Sequence, residues 1–318
     1  MAALSDQLLV VAMLGYLVAM ICSAAVYAFG SKGVVARVAE RELVGAGGPP
    51  VVESVSPEPV VAARDGRAVW IGRAATVATV LATVAQVACL VARGIAADRL
   101  PWGNMYEYTI ASTSVAAVAW LVVLARRPGL RHLNLYVSLT MVVLLGVAGL
   151  LLYVPIGPLV PALNSYWLAI HVSAIAISSG IFLVGFVPAA LFLIRDGYDR
   201  GKVGFPFSLG QRLPAAAVLE RLSFRLHAFA FPIWTFGALI AGPIWAEAAW
   251  GRYWGWDPKE VWAFISWIVY AGYLHARATP SVRKTTATWI AVLGFLTMLM
   301  NLFGVNLFFS GLHSYGGL

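Results

Sequence analysis

Trp167-Leu-Ala-Ile-His171-Val-Ser-Ala-Ile-Ala-Ile-Ser-Ser-Gly180-Ile-Phe-Leu-Val-Gly185-Phe-Val-Pro-Ala-Ala190-Leu-Phe-Leu-Ile194 runs for 28 residues without an Asp, Glu, Lys or Arg. As a helix rising about 1.5 Å per residue, it exceeds the roughly 20 residues needed to cross bilayer hydrocarbon. Lipid offers backbone N–H and C=O groups no partner, so a run this long and apolar must satisfy them within itself as helix. Working outward, similar runs recur at roughly 7–29, 70–93, 107–125, 133–154, 226–246, 260–277 and 286–309. The run at 260–277 is the shortest and most polar. Composition agrees: 61% of the 318 residues are hydrophobic, mean hydropathy is +0.82, and 11% are charged, against about 25% in soluble domains. The expected architecture is an all-α, polytopic integral membrane protein with about eight transmembrane helices.

Charge placement sets the expected orientation. Eighteen Lys and Arg fall in the loops after spans one, three, five and seven; the other side holds only Arg93, Arg99, Arg252 and Lys259. By the positive-inside bias the eighteen face the cytoplasm, which puts both termini outside a plasma membrane. The net charge of +8 then reads as a topology signal, and nucleic acid is not an expected partner. Residues 30–69, with turn formers at Gly45 to Pro50 and Ser56 to Pro59, read as a flexible cytoplasmic insert between a first transmembrane helix (1–29) and a membrane domain (70–318). Residues 195–225 read as a second cytoplasmic loop with a short amphipathic helix at 214–225. Residues 1–10 lack a basic n-region, so no cleavable signal peptide is expected. Cys22 and Cys89 form no CxxC and sit nearer opposite membrane faces, so they read as small buried hydrophobes rather than a disulfide.

The most unusual connection is Trp245-Ala-Glu247-Ala-Ala-Trp250-Gly-Arg252-Tyr-Trp254-Gly-Trp256-Asp257-Pro-Lys259-Glu-Val-Trp262, with five tryptophans in eighteen residues on the outer side. One tryptophan at a membrane surface is ordinarily part of the interfacial belt. Five around Gly251 and Gly255 offer a broad apolar ledge suited to a large planar aromatic ligand. The histidines sort by depth. His171 lies about one turn into span five from outside, and His313 follows span eight, also outside. His275 lies near the cytoplasmic end of span seven, His227 opens span six at that level, and His132 sits in a basic cytoplasmic loop. Imidazole is a common axial ligand of haem iron. Two imidazoles flanking an indole cluster therefore point to haem, with Arg252 and Lys259 available to its propionates if they face inward.

Plainer roles stand beside these. Asp257-Pro258-Lys259-Glu260 reads as a helix start, with Asp257 as cap. Asn104 and Glu107, in Leu100-Pro-Trp102-Gly-Asn104-Met-Tyr-Glu107, read as another, or as support for the tryptophan loop. Glu247 is either an exposed carboxylate or a loop hydrogen-bond partner. An ionisable group within a span, such as His275, is a functional candidate by default, with snorkelling to the interface as the alternative. His227 and His132 are ordinary interfacial and loop histidines.

At these residues the chain resembles the CcsA/CcsB (ResC) family of cytochrome c biogenesis proteins, among the haem-handling proteins that carry a tryptophan-rich WWD domain. The matching pieces are Trp245 to Trp262, Asn164 to Val172, Tyr273 to Arg277, Gly311 to Gly316 and Asn104 to Glu107. They run in the family's order over about residues 100–318; the first two spans match only in being spans. The resemblance implies that haem b is received as cargo from the cytoplasmic side and presented outside, where its vinyl groups form thioethers with the CxxCH cysteines of an apocytochrome c. It implies His171 and His313 as outer axial ligands, a platform of Trp250, Trp254 and Trp256 with Trp245, Asp257 and Trp262 as further haem-binding residues, and His275 in an intramembrane haem site. The family's other intramembrane histidine belongs to a ResB portion not in this sequence. A ResB-like membrane subunit is therefore expected to supply it, with His227 as the alternative.

Thiol addition to a vinyl asks for placement more than for acid–base groups. The chain is accordingly expected as a subunit of a holocytochrome c synthase (haem lyase) complex, with no catalytic residue assigned. The rival readings are a haem exporter without attachment activity, a quinone-linked cytochrome b, and a haem-free structural partner of a respiratory complex.

Overall fold

The computed structural model describes residues 1–29, 66–158, 163 and 165–313, and among these the chain forms eight long helices. They are α1 (Ala2–Phe29), α2 (Gly66–Ala97), α3 (Met105–Arg126), α4 (Asn134–Leu151), α5 (Tyr166–Asp199), α6 (Ala216–Trp250), α7 (Pro258–Ala278) and α8 (Lys284–Phe308). There is no strand among the described residues. The expected insert at 30–69 lies outside the described residues, apart from 66–69, which form the first turn of α2. Seven of the helices are long and apolar enough to cross a membrane, so the chain is an all-helical polytopic membrane protein.

The helix outside that seven is α7, the run that read as most polar. Its 21 residues span about 31 Å. Its first residues meet the turn after α8, where the Leu312 N–H donates to Asp257 Oδ1 at 2.6 Å. Near its far end, Arg277 pairs with Glu220 close to the start of α6. It therefore runs the length of the bundle beside α6 and α8.

Starts follow local chemistry. Ser165 caps α5 by accepting the Trp167 N–H at 3.2 Å. Asn104 caps α3 through the Glu107 N–H at 2.9 Å. Asp257 caps α7 in a full capping box with Glu260, and Pro258 fills the first position, where a missing N–H costs nothing. The expectation of a separate amphipathic helix at 214–225 is corrected: residues from Ala216 onward are the first turns of α6, continuous with the span. No Gly or Pro falls between Ala216 and Phe231. Leu219, Ser223, His227, Ala230 and Trp234 form one buried stripe at helical spacing, so packing carries the helix through the polar stretch.

α5 is the most enclosed helix. Close contact depends on two glycines: a Cβ at Gly180 would lie 2.8 Å from the Val115 side chain of α3, and one at Gly185 would lie 2.8 Å from the His227 ring of α6. α1, α2 and α4 are joined by buried polar contacts, including Tyr16 to Gln86 (2.8 Å) and Asn134 to Thr79 (2.9 Å). Cys22 and Cys89 are free thiols. Two π turns, Gly237–Ala241 in α6 and Met300–Gly304 in α8, interrupt the helices near the tryptophan end. Such turns frequently mark functional positions.

Candidate functional site

The tryptophan segment closes over a cavity between α3, α5, α6, α7 and α8 with about 1470 Å³ of atom-free space, its open mouth included. His171, His313, Trp245, Trp250, Trp254 and Lys259 all line it. The cavity continues inward to Leu183, twelve residues, or about 18 Å, along α5 from His171. Large apolar pockets with a few convergent polar groups are the ordinary form of a ligand site.

Both histidines at the tryptophan end have a hydrogen-bond partner at Nδ1. His171, in the second turn of α5, has Nδ1 at 2.8 Å from the Gly237 carbonyl, at the start of the α6 π turn. A carbonyl only accepts, so Nδ1 carries the proton and Nε2 keeps its lone pair. Gly242 leaves room for this ring: a Cβ there would sit 3.1 Å from it. His313 Nδ1 lies 2.7 Å from Asp257 Oδ2. Asp257 also accepts the Lys259 N–H at 3.1 Å while capping α7. Burial alone would push the Asp257 carboxyl up. The hydrogen bond and charge of His313, with the Leu312 and Lys259 amides, outweigh it and hold the group below its ordinary value.

The indoles fix the space between. Trp245, 2% exposed, stacks on His171 (centroids 5.8 Å, planes 7° apart) and lies 5.7 Å from His313. Trp250 meets both Trp245 (4.7 Å) and His313 (5.0 Å) edge-on. Trp256 stands 70% exposed at φ +57°, edge-on to Trp254, outside the cavity lining; Trp262, on α7, is also outside it. Arg252 is exposed and folds across Gly255, whereas Lys259 faces the cavity. Glu247 is exposed. At the other end of the bundle, His275 is exposed on α7. His227 is fully enclosed, with Nδ1 2.8 Å from the Ser223 carbonyl. His132 sits in the short 3-10 turn Pro128–Leu133 before α4.

Three features were not anticipated from sequence. Glu107 is a cap-adjacent residue, and its carboxylate is also buried between Arg93 (2.8 Å) and Arg99 (2.7 Å) and accepts the Gly103 N–H (2.8 Å). This cluster anchors the loop that carries Trp102 and Asn104 into the cavity wall. Asp257 joins a helix cap to a histidine 56 residues later. Trp102 Nε1 and Asn301 Oδ1 are buried at the cavity wall with no hydrogen-bond partner among the described residues. A ligand with an apolar body, a polar edge and a metal that accepts imidazole fits these groups.

This is a polytopic membrane protein with a large indole-lined cavity at the tryptophan end of its helix bundle. Its sequence matches the family model described as cytochrome C assembly protein over residues 102–313, and the chain belongs to that family. Within it, the chain is similar to cytochrome c biogenesis protein CcsA of Gloeobacter violaceus, with 33% identity over 76% of this chain and 86% of the relative. It is likewise similar to CcsA of Crocosphaera subtropica (33%, 78% and 89%) and of Guillardia theta (41%, 51% and 58%). Among solved structures, cytochrome c haem lyase CcmF superposes with a TM-score of 0.62 at 18% identity, covering 95% of this chain. That likeness concerns the fold, and this chain spans about half the length of CcmF (46%).

Proposed function

We propose that this chain is the haem-presenting subunit of a cytochrome c maturation complex of the system II type. Haem b is its cargo, held in the outer cavity with iron between His171 and His313 and delivered there to the CxxCH motif of an apocytochrome c. The observation that carries this reading is the state of the two imidazoles: both have Nδ1 engaged, and both line one indole-walled cavity. Histidines that bind metal are ordinarily held in this way, the second nitrogen fixing tautomer and ring orientation.

Trp245, Trp250 and Trp254 give the porphyrin its apolar walls, and the orphan Trp102 N–H and Lys259 are suited to its carboxylates. Trp256 and Trp262 act from outside the wall: Trp256 backs Trp254, and its exposed face is available to a client protein. Attachment needs vinyl groups held beside two thiols, which is a gain from proximity. His275, exposed on α7, serves a second haem site within the membrane that a ResB-like subunit completes. The enclosure of His227 argues against its filling that role.

α7 counts as the eighth span, because its ends meet the same two ends of the bundle as its neighbours. The distribution of Lys and Arg supports a plasma-membrane orientation with the tryptophan segment and both termini outside, residues 30–69 as a cytoplasmic insert, and 70–318 as the haem-handling domain. The test is co-expression of this chain with a ResB-like partner and a CxxCH apocytochrome. Wild type is expected to give haem absorbance and thioether-linked product. The His171→Ala, His313→Ala double variant is expected to lose the outer-site haem and the product. Full haem and product in the double variant refute the assignment; haem without product in the wild type favours an exporter.

A further inference from the structure

The two outer histidines differ in what holds them. His171 donates to a neutral backbone carbonyl, Gly237 O, at 2.8 Å. His313 donates to a carboxylate, Asp257 Oδ2, at 2.7 Å. A hydrogen bond to an ionised acceptor is roughly twice as strong as a neutral one. A carboxylate behind an imidazole also draws the Nδ1 proton toward itself and raises the basicity of Nε2.

Asp257 is well placed for this. It is buried, Oδ1 is fixed by the Leu312 N–H at 2.6 Å, and Oδ2 accepts the Lys259 N–H at 3.1 Å. Gly311 packs directly on the same carboxylate, with no room for a Cβ. The turn carrying His313 is therefore clipped to Asp257 through three consecutive residues. Among the described residues no acidic side chain hydrogen-bonds the His171 ring; around it are the Gly237 carbonyl, the Trp245 face and the Gly242 backbone.

Resting on the haem reading above, we infer that the two imidazoles are unequal ligands and that Asp257 sets the inequality: His313 is the retained ligand, and His171 is the one that yields to an incoming ligand. Asp257 is a positioning residue in this assignment, acting on iron only through His313. Release of His171 disturbs little. Its ring keeps the Gly237 bond and the Trp245 stack, so the cavity wall stands while the coordination position facing α5 opens. A histidine arriving from a client would bind on that side.

The test uses the full chain with its membrane partner, purified with haem and reduced. Carbon monoxide displaces the weaker axial imidazole, and photolysis leaves five-coordinate ferrous iron with the stronger one. The iron–histidine stretching frequency of that photoproduct, read by resonance Raman, identifies the retained ligand, because a carboxylate-supported imidazole gives a higher frequency than a carbonyl-supported one. The expected result is a high frequency in the wild type, equal to that of His171→Ala, which keeps only His313, and above that of His313→Ala. Asp257→Asn, whose one side-chain oxygen can still accept the Lys259 amide while its NH2 faces the Leu312 N–H, is expected to lower the frequency. It should also weaken haem retention by about 10- to 100-fold, as loss of an outer-shell partner does. Asp257→Glu should restore the frequency in part.

A wild-type photoproduct matching His313→Ala overturns the inference. So does a frequency indifferent to Asp257→Asn in haem-loaded protein. Where Asp257→Asn fails to fold, the comparison of the two histidine variants decides alone. Absence of outer-site haem from the wild type refutes the haem reading itself, which separates that failure from this one.

Discussion

Glu107→Gln should destabilise the tryptophan end of the bundle far more than its near-isosteric change suggests. Glu107 is 0% exposed and receives the Arg93 Nε–H at 2.8 Å, Arg99 Nη1 at 2.7 Å and Nη2 at 3.1 Å, and the Gly103 N–H at 2.8 Å. Every one of these partners donates. A glutamine keeps one accepting oxygen, turns the other corner into a donor facing donors, and removes the charge that pays for burying Arg93. Breaking one side of a buried pair costs about 3–5 kcal/mol. The Arg99 share lies at the low end, because that side chain keeps 11% exposure. Equilibrium unfolding in mixed micelles, followed by tryptophan fluorescence, should show a loss of about 3 kcal/mol or more. Adding Arg93→Met should recover part of it, since the stranded cation is then gone. A loss below about 0.5 kcal/mol, the usual range of a surface change, would refute the reasoning. So would a double variant as unstable as the two single losses added together.

Three further outcomes are expected. Lys259→Met should weaken haem binding by about 10- to 100-fold, as loss of one charge-assisted hydrogen bond does, and should leave binding of haem dimethyl ester unchanged; equal weakening for both compounds would remove Lys259 from the carboxylate edge. His275→Ala should lower co-purifying haem when the partner subunit is present, with partial recovery in added imidazole, and unchanged haem content would defeat the second site. The Asp257 carboxyl is held below its ordinary value, so its contribution is complete above about pH 3.9 and disappears as pH falls through the lower folded-state value. Fluorescence of the tryptophan segment should therefore hold steady from neutral pH down to about pH 4 and change only in stronger acid; an Asp257-dependent midpoint above pH 5 would contradict the sign.

The helices were legible because each span repeats one signal, about twenty apolar residues that lipid forces into helix. α7 is the weakest by that signal, and its start is marked by Asp257-Pro258-Lys259-Glu260, a pattern complete within four residues. The start signal at Asn104 is local in the same way. What stayed hidden depends on partners distant in sequence. Glu220 in the polar run before span six suggested a surface helix, because its partner Arg277 comes 57 residues later. Asp257 was legible as a cap, while its bond to His313 spans 56 residues. Glu107 offered a capping spacing and concealed two arginines from the preceding helix end. Local pattern also could not separate the tryptophans: Trp245 and Trp256 look alike in the segment, yet one is buried against both imidazoles and the other stands in the open.

The π turns bear on how the ligand face of α6 came to point where it does. One residue more than an α-turn rotates everything beyond it by about 100° relative to an uninterrupted helix. Below Gly237, α6 turns Trp234 and His227 toward the helix pack; above Ala241, the added angle aims Trp245 at the two imidazoles. A single-residue deletion there would leave every side chain in place chemically and swing the indole about a quarter-turn away. The aim of the site is therefore written in a residue count, and insertions or deletions at this point are more damaging than most substitutions in the wall they orient.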